Sequence, residues 1–208
     1  MILGFGRLLS ESYRDNIDPN SRQYMDRVLA GSMRMNSLID DLLNLSRVSR
    51  AELCAEQTNL SELATGIVAD LCMRDPTRRV VTEIADGLTA SCDKGLMKAA
   101  LENLLGNAWK FTAKKPDARI AFWRERTADE TVFCVRDNGA GFDMERAGRL
   151  FAPFQRLHPG SEFAGTGIGL ATVARIISRH GGRIWAKAAI NEGASFFFTL
   201  GGRRQKLE

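Results

Sequence analysis

Apolar side chains follow two regimes along this chain. Over residues 21–52 they recur at four-three spacing, at Tyr24, Val28, Met35, Leu38, Leu42 and Leu45, with Gly31 in the same register. That period is helical. Met25, Leu29, Ile39 and Leu43 widen the stripe, which suits a helical bundle better than a two-stranded seam. Residues 1–14 read as the tail of a preceding helix, and Asp15-Asn16-Ile17-Asp18-Pro19-Asn20 as the turn between the two. Two antiparallel helices cannot bury so wide a stripe, so a homodimer forming a four-helix bundle is expected, the plainer reading being that the helix packs onto its own chain.

From about residue 57 the pattern becomes one of short strands and helices. A helix is expected from Asn59 or Ser61 to about Cys72, with one of those two residues as its cap. Residues 80–85 and 88–92 read as short strands. Asp93 caps a helix whose core side is Met97, Leu101, Leu104, Leu105 and Ala108. Residues 119–124 and 131–137 form a hairpin across the polar segment 125–130. A helix over residues 168–180 ends at Gly181-Gly182, and strands at 183–190 and 194–200 close the sheet. Antiparallel pairs with helices on one face predict an α+β protein: a helical hairpin over residues 1–52, then an α/β sandwich over residues 57–201. Residues 202–208 are a tail, and Leu207-Glu208 reads as a cloning scar.

Composition removes several function classes. The formal net charge is +4 and no long basic run occurs, which argues against nucleic acid as a partner. Cys54, Cys72, Cys92 and Cys134 are scattered without metal-ligand spacing and read as reduced thiols. No apolar run reaches the roughly 18 residues of a membrane span, and no segment reads as a signal peptide. A cytoplasmic segment is expected, whatever anchors a longer parent protein.

The chemistry is concentrated in three segments. Asn103 and Asn107 are four residues apart and share a helix face, which Lys110 and Phe111 continue. Neutral amide oxygens suit a Mg²⁺ already held by phosphates, and Lys110 can meet phosphate as a point charge. Asp137 ends a strand and precedes Asn138-Gly139-Ala140-Gly141; a buried carboxylate there can accept from an adenine amino group. Gly165-Thr166-Gly167-Ile168-Gly169-Leu170 opens a helix, whose free N–H groups favour phosphate. A dinucleotide fingerprint fails because these glycines follow the polar loop 155–164 rather than a strand, and a Walker loop fails because no Gly-Lys-Ser/Thr occurs. Taken singly, the segments have plainer readings, as two solvated amides and an ordinary Asp-Asn-Gly hairpin turn.

In their order and spacing, Asn103–Phe111, Asp137–Gly141, Phe151-Ala152-Pro153-Phe154 and Gly165–Leu170 resemble the N box, first glycine box, F box and second glycine box of sensor histidine kinases. Leu38-Ile39-Asp40-Asp41-Leu42-Leu43-Asn44-Leu45-Ser46 resembles the second helix of their dimerisation and phosphoacceptor domain. Trp109 and the loop 154–165 are similar to phytochrome-like members. The resemblance implies the Bergerat ATP-binding fold shared with gyrase, Hsp90 and MutL. It implies ATP and Mg²⁺ as cofactors, and a response-regulator receiver domain as partner. It makes Asn107 the main Mg²⁺ ligand and Asn103 its neighbour at the phosphates. Lys110 would contact phosphate and Phe111 would flank the nucleotide. Asp137 would hold the adenine amino group, and Gly139 and Gly141 would shape the base pocket. Gly165, Thr166, Gly167, Gly169 and Leu170 would contact the cofactor, with Gly165, Gly167 and Gly169 as hinges of the lid and Phe151 and Phe154 packing that lid against the body.

Two departures matter. Related ATPases place a water-activating glutamate four residues before the metal asparagine; here that residue is Asn103, and Glu102 points about 100° away around the helix. Without a base for water, transfer to a protein nucleophile is favoured over hydrolysis. The family's phosphoacceptor histidine is also missing from the bundle. The only histidines are His158, in the lid, and His180, at a helix end where an imidazole can cap carbonyls. The resemblance puts the acceptor about two turns upstream of Met1, so a kinase fragment or a late-started reading frame is expected. The competing expectations are an ATP-responsive dimeric module without chemistry, and a serine-directed kinase like the anti-sigma factor kinases, against which the long bundle helix argues.

Overall fold

The computed structural model describes residues 18–50, 52–126, 130–157, 163 and 165–201. The expected helix over residues 1–14, His158 and the tail 202–208 lie outside them. The chain divides into two compact units, Met1–Asn44 and Leu45–Glu208.

Helix α1 (Pro19–Arg50) starts two residues before its expected beginning. Proline is favoured rather than excluded at the first helical position. The side chain of Asp18 accepts from the N–H groups of Asn20 and Ser21 at 3.0 and 3.1 Å, capping the helix. The bonds from Ser21 hold that exposed carboxyl below the usual carboxylate range. Within the first unit much of the stripe is open: Tyr24, Val28, Met35 and Leu42 are all more than half exposed, while Met25, Leu29 and Leu38 are half-buried. The last turns of α1 belong to the second unit, where Val48 is buried and its carbonyl accepts from the Arg179 guanidinium.

The second unit continues with β1 (Glu56–Asn59), α2 (Leu60–Arg74), β2 (Val81–Ile84), β3 (Thr89–Cys92) and α3 (Lys94–Phe111). Then come β4 (Arg119–Arg126), β5 (Thr131–Asp137), a 3-10 helix (Met144–Arg149), α4 (Gly169–Arg179), β6 (Ile184–Ala189) and β7 (Gly193–Thr199). Five strands form one sheet in the order β2-β4-β5-β7-β6, while β1 and β3 form a separate antiparallel pair. The expectation of antiparallel pairs alone needs one correction, because β2 and β4 run parallel. Their connection passes through β3 and the whole of α3, a crossover that permits parallel pairing.

Alternation along the strands sends Phe122, Phe133, Val135, Phe196 and Phe198 towards the helices. There they meet Leu101, Leu104, Leu105, Val173, Ile176 and Ile177 in one core. Burial pushes the Cys134 thiol up to about 12, which keeps it protonated and unreactive. Among the described residues all four cysteines are free.

Local caps fix the helices. The Asn59 side chain accepts from Glu62 N–H, and that of Asp93 from Leu96 N–H. The far end of α3 is held by a residue distant in sequence. The Arg78 guanidinium donates to the Trp109 carbonyl and, at 2.7 Å, to the Thr112 hydroxyl, and it lies 4.7 Å from the centre of the Trp109 ring. Burial depresses its pKa while the Asp75 charge raises it. Arg78→Ala is expected to destabilise the fold by about 2–3 kcal/mol, through lost charged hydrogen bonds and a lost cation–π contact. Urea unfolding measures this directly, and a loss of under ~0.5 kcal/mol, the range of a neutral surface change, would remove the capping role.

Candidate functional site

The site is built where the end of α3, the turn after β5 and the start of α4 converge. Asn103 donates from Nδ2 to the Ala99 carbonyl at 2.9 Å, which fixes its amide plane. A side chain at Gly169, the first residue of α4, would overlap Asn103 Oδ1. The first and last sequence motifs therefore touch at a point that only glycine permits. Asn107, one turn along, is half-exposed, and its amide makes no hydrogen bond among the described residues.

Asp137 is 4% exposed, although it is a carboxylate. Burial pushes it up to about 6, against the pull of hydrogen bonds from the Gly139 and Ala194 N–H groups and of the Arg136 charge. Its Oδ1 accepts from Gly139 N–H at 2.8 Å. The turn that follows is pinned to the end of α3: Ala140 donates to the Phe111 carbonyl at 3.1 Å, and a Cβ on Gly139 would sit 2.6 Å from that oxygen. Gly141, at φ +58°, abuts the Ala189 carbonyl.

Lys110 is partly buried and reaches over the Phe111 ring, 4.2 Å from its centre. Burial, and then the Arg156 charge, depress its pKa. A Cβ on Gly165 would lie 3.4 Å from Lys110 Nζ, so the lid backbone passes directly over this ammonium. Gly165 and Gly167 have φ of +151° and +80°, values that side-chain-bearing residues rarely adopt. Thr166 and Leu170 are half-buried, and Leu170 packs against the core.

One expectation about the loop is corrected. Phe151 packs on the core, but Phe154 is 57% exposed. Its backbone at φ +64° is what packs, against Gly167, and this turns the ring outwards. The lid contributes another aromatic instead. Phe163 is buried edge-on to Phe111 with ring centres 4.9 Å apart, and its carbonyl accepts from Arg156 at 2.7 Å.

Sequence reasoning also missed Gly193. At φ +95° it lies where any Cβ would overlap the Asp137 carbonyl. The available signal was the turn composition of Asn191-Glu192-Gly193, and Asn191 N–H indeed donates to the Ala140 carbonyl at 2.7 Å. His180 fills the capping role expected of it. Its Nε2 accepts from Asp93 N–H at 3.0 Å, so Nδ1 carries the proton and donates to the Ile176 carbonyl at 2.8 Å. Among the described residues no group of three His, Cys, Asp or Glu could hold a metal ion.

The profile of the histidine kinase-, DNA gyrase B- and HSP90-like ATPases matches residues 92–204, just over half of the chain and all three segments of the site. The chain belongs to this family. Cyanobacterial phytochrome A of Nostoc sp. is 32% identical over 99% of this chain and 27% of its own length. The phytochrome-like protein Cph1 of Synechocystis sp. is 31% identical over 96% of this chain and 26% of its own length. The chain thus spans about a quarter of these relatives. Among solved structures, full-length ShkA in complex with AMPPNP superposes with a TM-score of 0.68 at 25% identity, covering 96% of this chain and 42% of that one. The histidine kinase AdeS of Acinetobacter baumannii gives 0.67 at 19% identity over 96% of this chain and 93% of its own, a likeness of fold. The helix-then-sandwich architecture is therefore that of histidine kinases, and the ATP-binding domain is of their type.

Proposed function

We propose that this chain is the ATP-binding core of a two-component sensor kinase, with a helical segment over residues 1–52 and the catalytic domain over residues 57–201. The observation that carries the reading is Asp137, a carboxylate buried beneath a glycine turn that is pinned to the end of the asparagine helix, the same helix that Gly165 and Gly169 of the hinged loop approach at Lys110 and Asn103. Asp137 would take the adenine amino group. Gly139 and Gly141 would shape the base pocket by letting the turn close against the Phe111 and Ala189 carbonyls, and Lys110 would meet the phosphates beneath Gly165. Neutral Asn103 and Asn107 fit a Mg²⁺ brought by those phosphates, because carboxylates there would add repulsion. When bound, the ion neutralises phosphate charge; the chain's own residues position the nucleotide, which is most of what phosphoryl transfer asks of a protein.

The γ-phosphate would pass to a histidine outside this chain and then to a response-regulator aspartate. His180 is unsuited as acceptor, since both of its ring nitrogens are engaged. The open stripe on α1 supports a homodimer, because exposed apolar faces of this kind are completed by partner helices. Among the described residues no helix is long and apolar enough to cross a membrane. With no histidine on α1, the second reading is a dimer whose output is conformational, nucleotide binding shifting its state.

The test supplies γ-labelled Mg·ATP with a histidine-bearing helical hairpin from a homologous kinase. Acid-labile label on the hairpin, and none on residues 2–52, is the expected result. Acid-stable label would instead indicate a serine kinase, and ATP binding without any label the conformational module.

A further inference from the structure

At the end of the sheet opposite Asp137 lies a second concavity that the nucleotide reading does not use. It is an open groove of about 960 Å³ between the ends of β4 and β5 and the strand β3, closed at one side by Gly181-Gly182 after α4. Register places it far from the nucleotide end. Asp137 pairs with Ile120, whereas the groove is lined by Arg126 and its partner Thr131, six residues along β5 and so about 20 Å away.

Three arginines line it: Arg124, Arg126 and Arg183. Only Arg183 has a carboxylate, bonding Glu130 at 2.5 Å. Arg124 and Arg126 are exposed and make no ion pair among the described residues. The groove therefore keeps a positive excess. Phe133 and the hydroxyl-bearing Thr89 and Ser91 of β3 complete its lining.

We infer that this groove binds an extended acidic peptide segment of a partner protein, with carboxylates at alternate positions. Arg124 and Arg126 are two residues apart on one face of β4, a spacing of about 6.8 Å. Alternate side chains of an extended peptide repeat at the same distance, so successive carboxylates can each meet one guanidinium in the bidentate manner that arginine favours. The hydroxyls of Thr89 and Ser91 among the lining residues are donors that the carbonyls of such a peptide can meet.

The experiment titrates the full chain, saturated with Mg·ATP, with a fluorescein-labelled (Glu-Ser)₄ peptide at low salt. The expected result is saturable binding, with amide shifts at Thr89, Ser91, Thr131 and Gly181 in nitrogen–proton spectra. The double variant R124A/R126A should weaken it at least tenfold while keeping the parent melting temperature and ATP affinity. A (Gln-Ser)₄ peptide should not bind. No saturable binding, equal binding by the double variant, or displacement by ATP would each overturn the assignment. So would arginine-dependent binding of tripolyphosphate without binding of the peptide, which would make the groove a small-anion site.

Discussion

Replacing Asp137 with Asn is expected to yield a folded protein whose ATP affinity has fallen about 100-fold or more, since a buried site built around one hydrogen bond tolerates its loss poorly. The amide keeps an oxygen for Gly139 N–H but removes the negative charge that an adenine amino group would meet. Stability should move the other way. The native carboxyl titrates at about 6 rather than 3.8, so between those values the folded state binds more protons than the unfolded one. Stability then falls as pH rises across that window, and the ionised group costs the fold up to about 3 kcal/mol above it. A neutral Asn escapes that cost, so the nucleotide-free variant should melt no lower than its parent at pH 7.5 and lose the fall in stability between pH 4 and 6. ATP affinity of the parent should drop as pH is lowered through about 6, where the acceptor gains its proton. Calorimetric titration and thermal melts across pH 4–8 read both effects. Undiminished ATP affinity in the variant would remove Asp137 from adenine recognition, and a variant that fails to fold would make it a structural residue.

What the sequence made legible was local. Asp93 and Asn59 announce their helices because a cap acts within three residues. Asn103 and Asn107 share a face by helical spacing alone, the strand 119–126 alternates over its first half, and 131–137 shows itself as a short apolar run buried on both faces. The missed features are held by distant partners. Strand β1 is four residues without an alternation of its own and exists because Gln57 and Thr58 pair with Ser91 and Ala90. The parallel alignment of β2 depends on β4, which follows only after α3. Arg78 looks like any surface cation until Trp109 and Thr112 are seen beside it. The same holds within the site. The glycine boxes can be read as turns and hinges, but not that Gly169 clears Asn103, nor that Gly193 clears the Asp137 carbonyl. The lid aromatic that meets Phe111 is Phe163, and no periodicity singles it out.

The two asparagines are chemically alike but placed differently, which sets the second large effect. Asn103 has committed Nδ2 to the Ala99 carbonyl and holds Oδ1 against Gly169. Asn107 is half-exposed and uncommitted among the described residues, so its carboxamide oxygen is the one free to turn towards an ion carried by phosphates. Asn107→Ala should therefore weaken ATP binding about 30- to 100-fold in the presence of Mg²⁺, the size of one lost metal or charged-group contact. In excess chelator, parent and variant should bind ATP equally weakly. Stability should change by less than ~0.5 kcal/mol, because no buried contact is removed. Asn103→Ala gives a different signature, since it opens space beside the start of α4; its loss of affinity should persist without the metal. A double-mutant comparison of Asn107→Ala against metal removal isolates the interaction. If the variant loses the same factor with and without Mg²⁺, Asn107 touches the nucleotide directly and the metal assignment passes to Asn103.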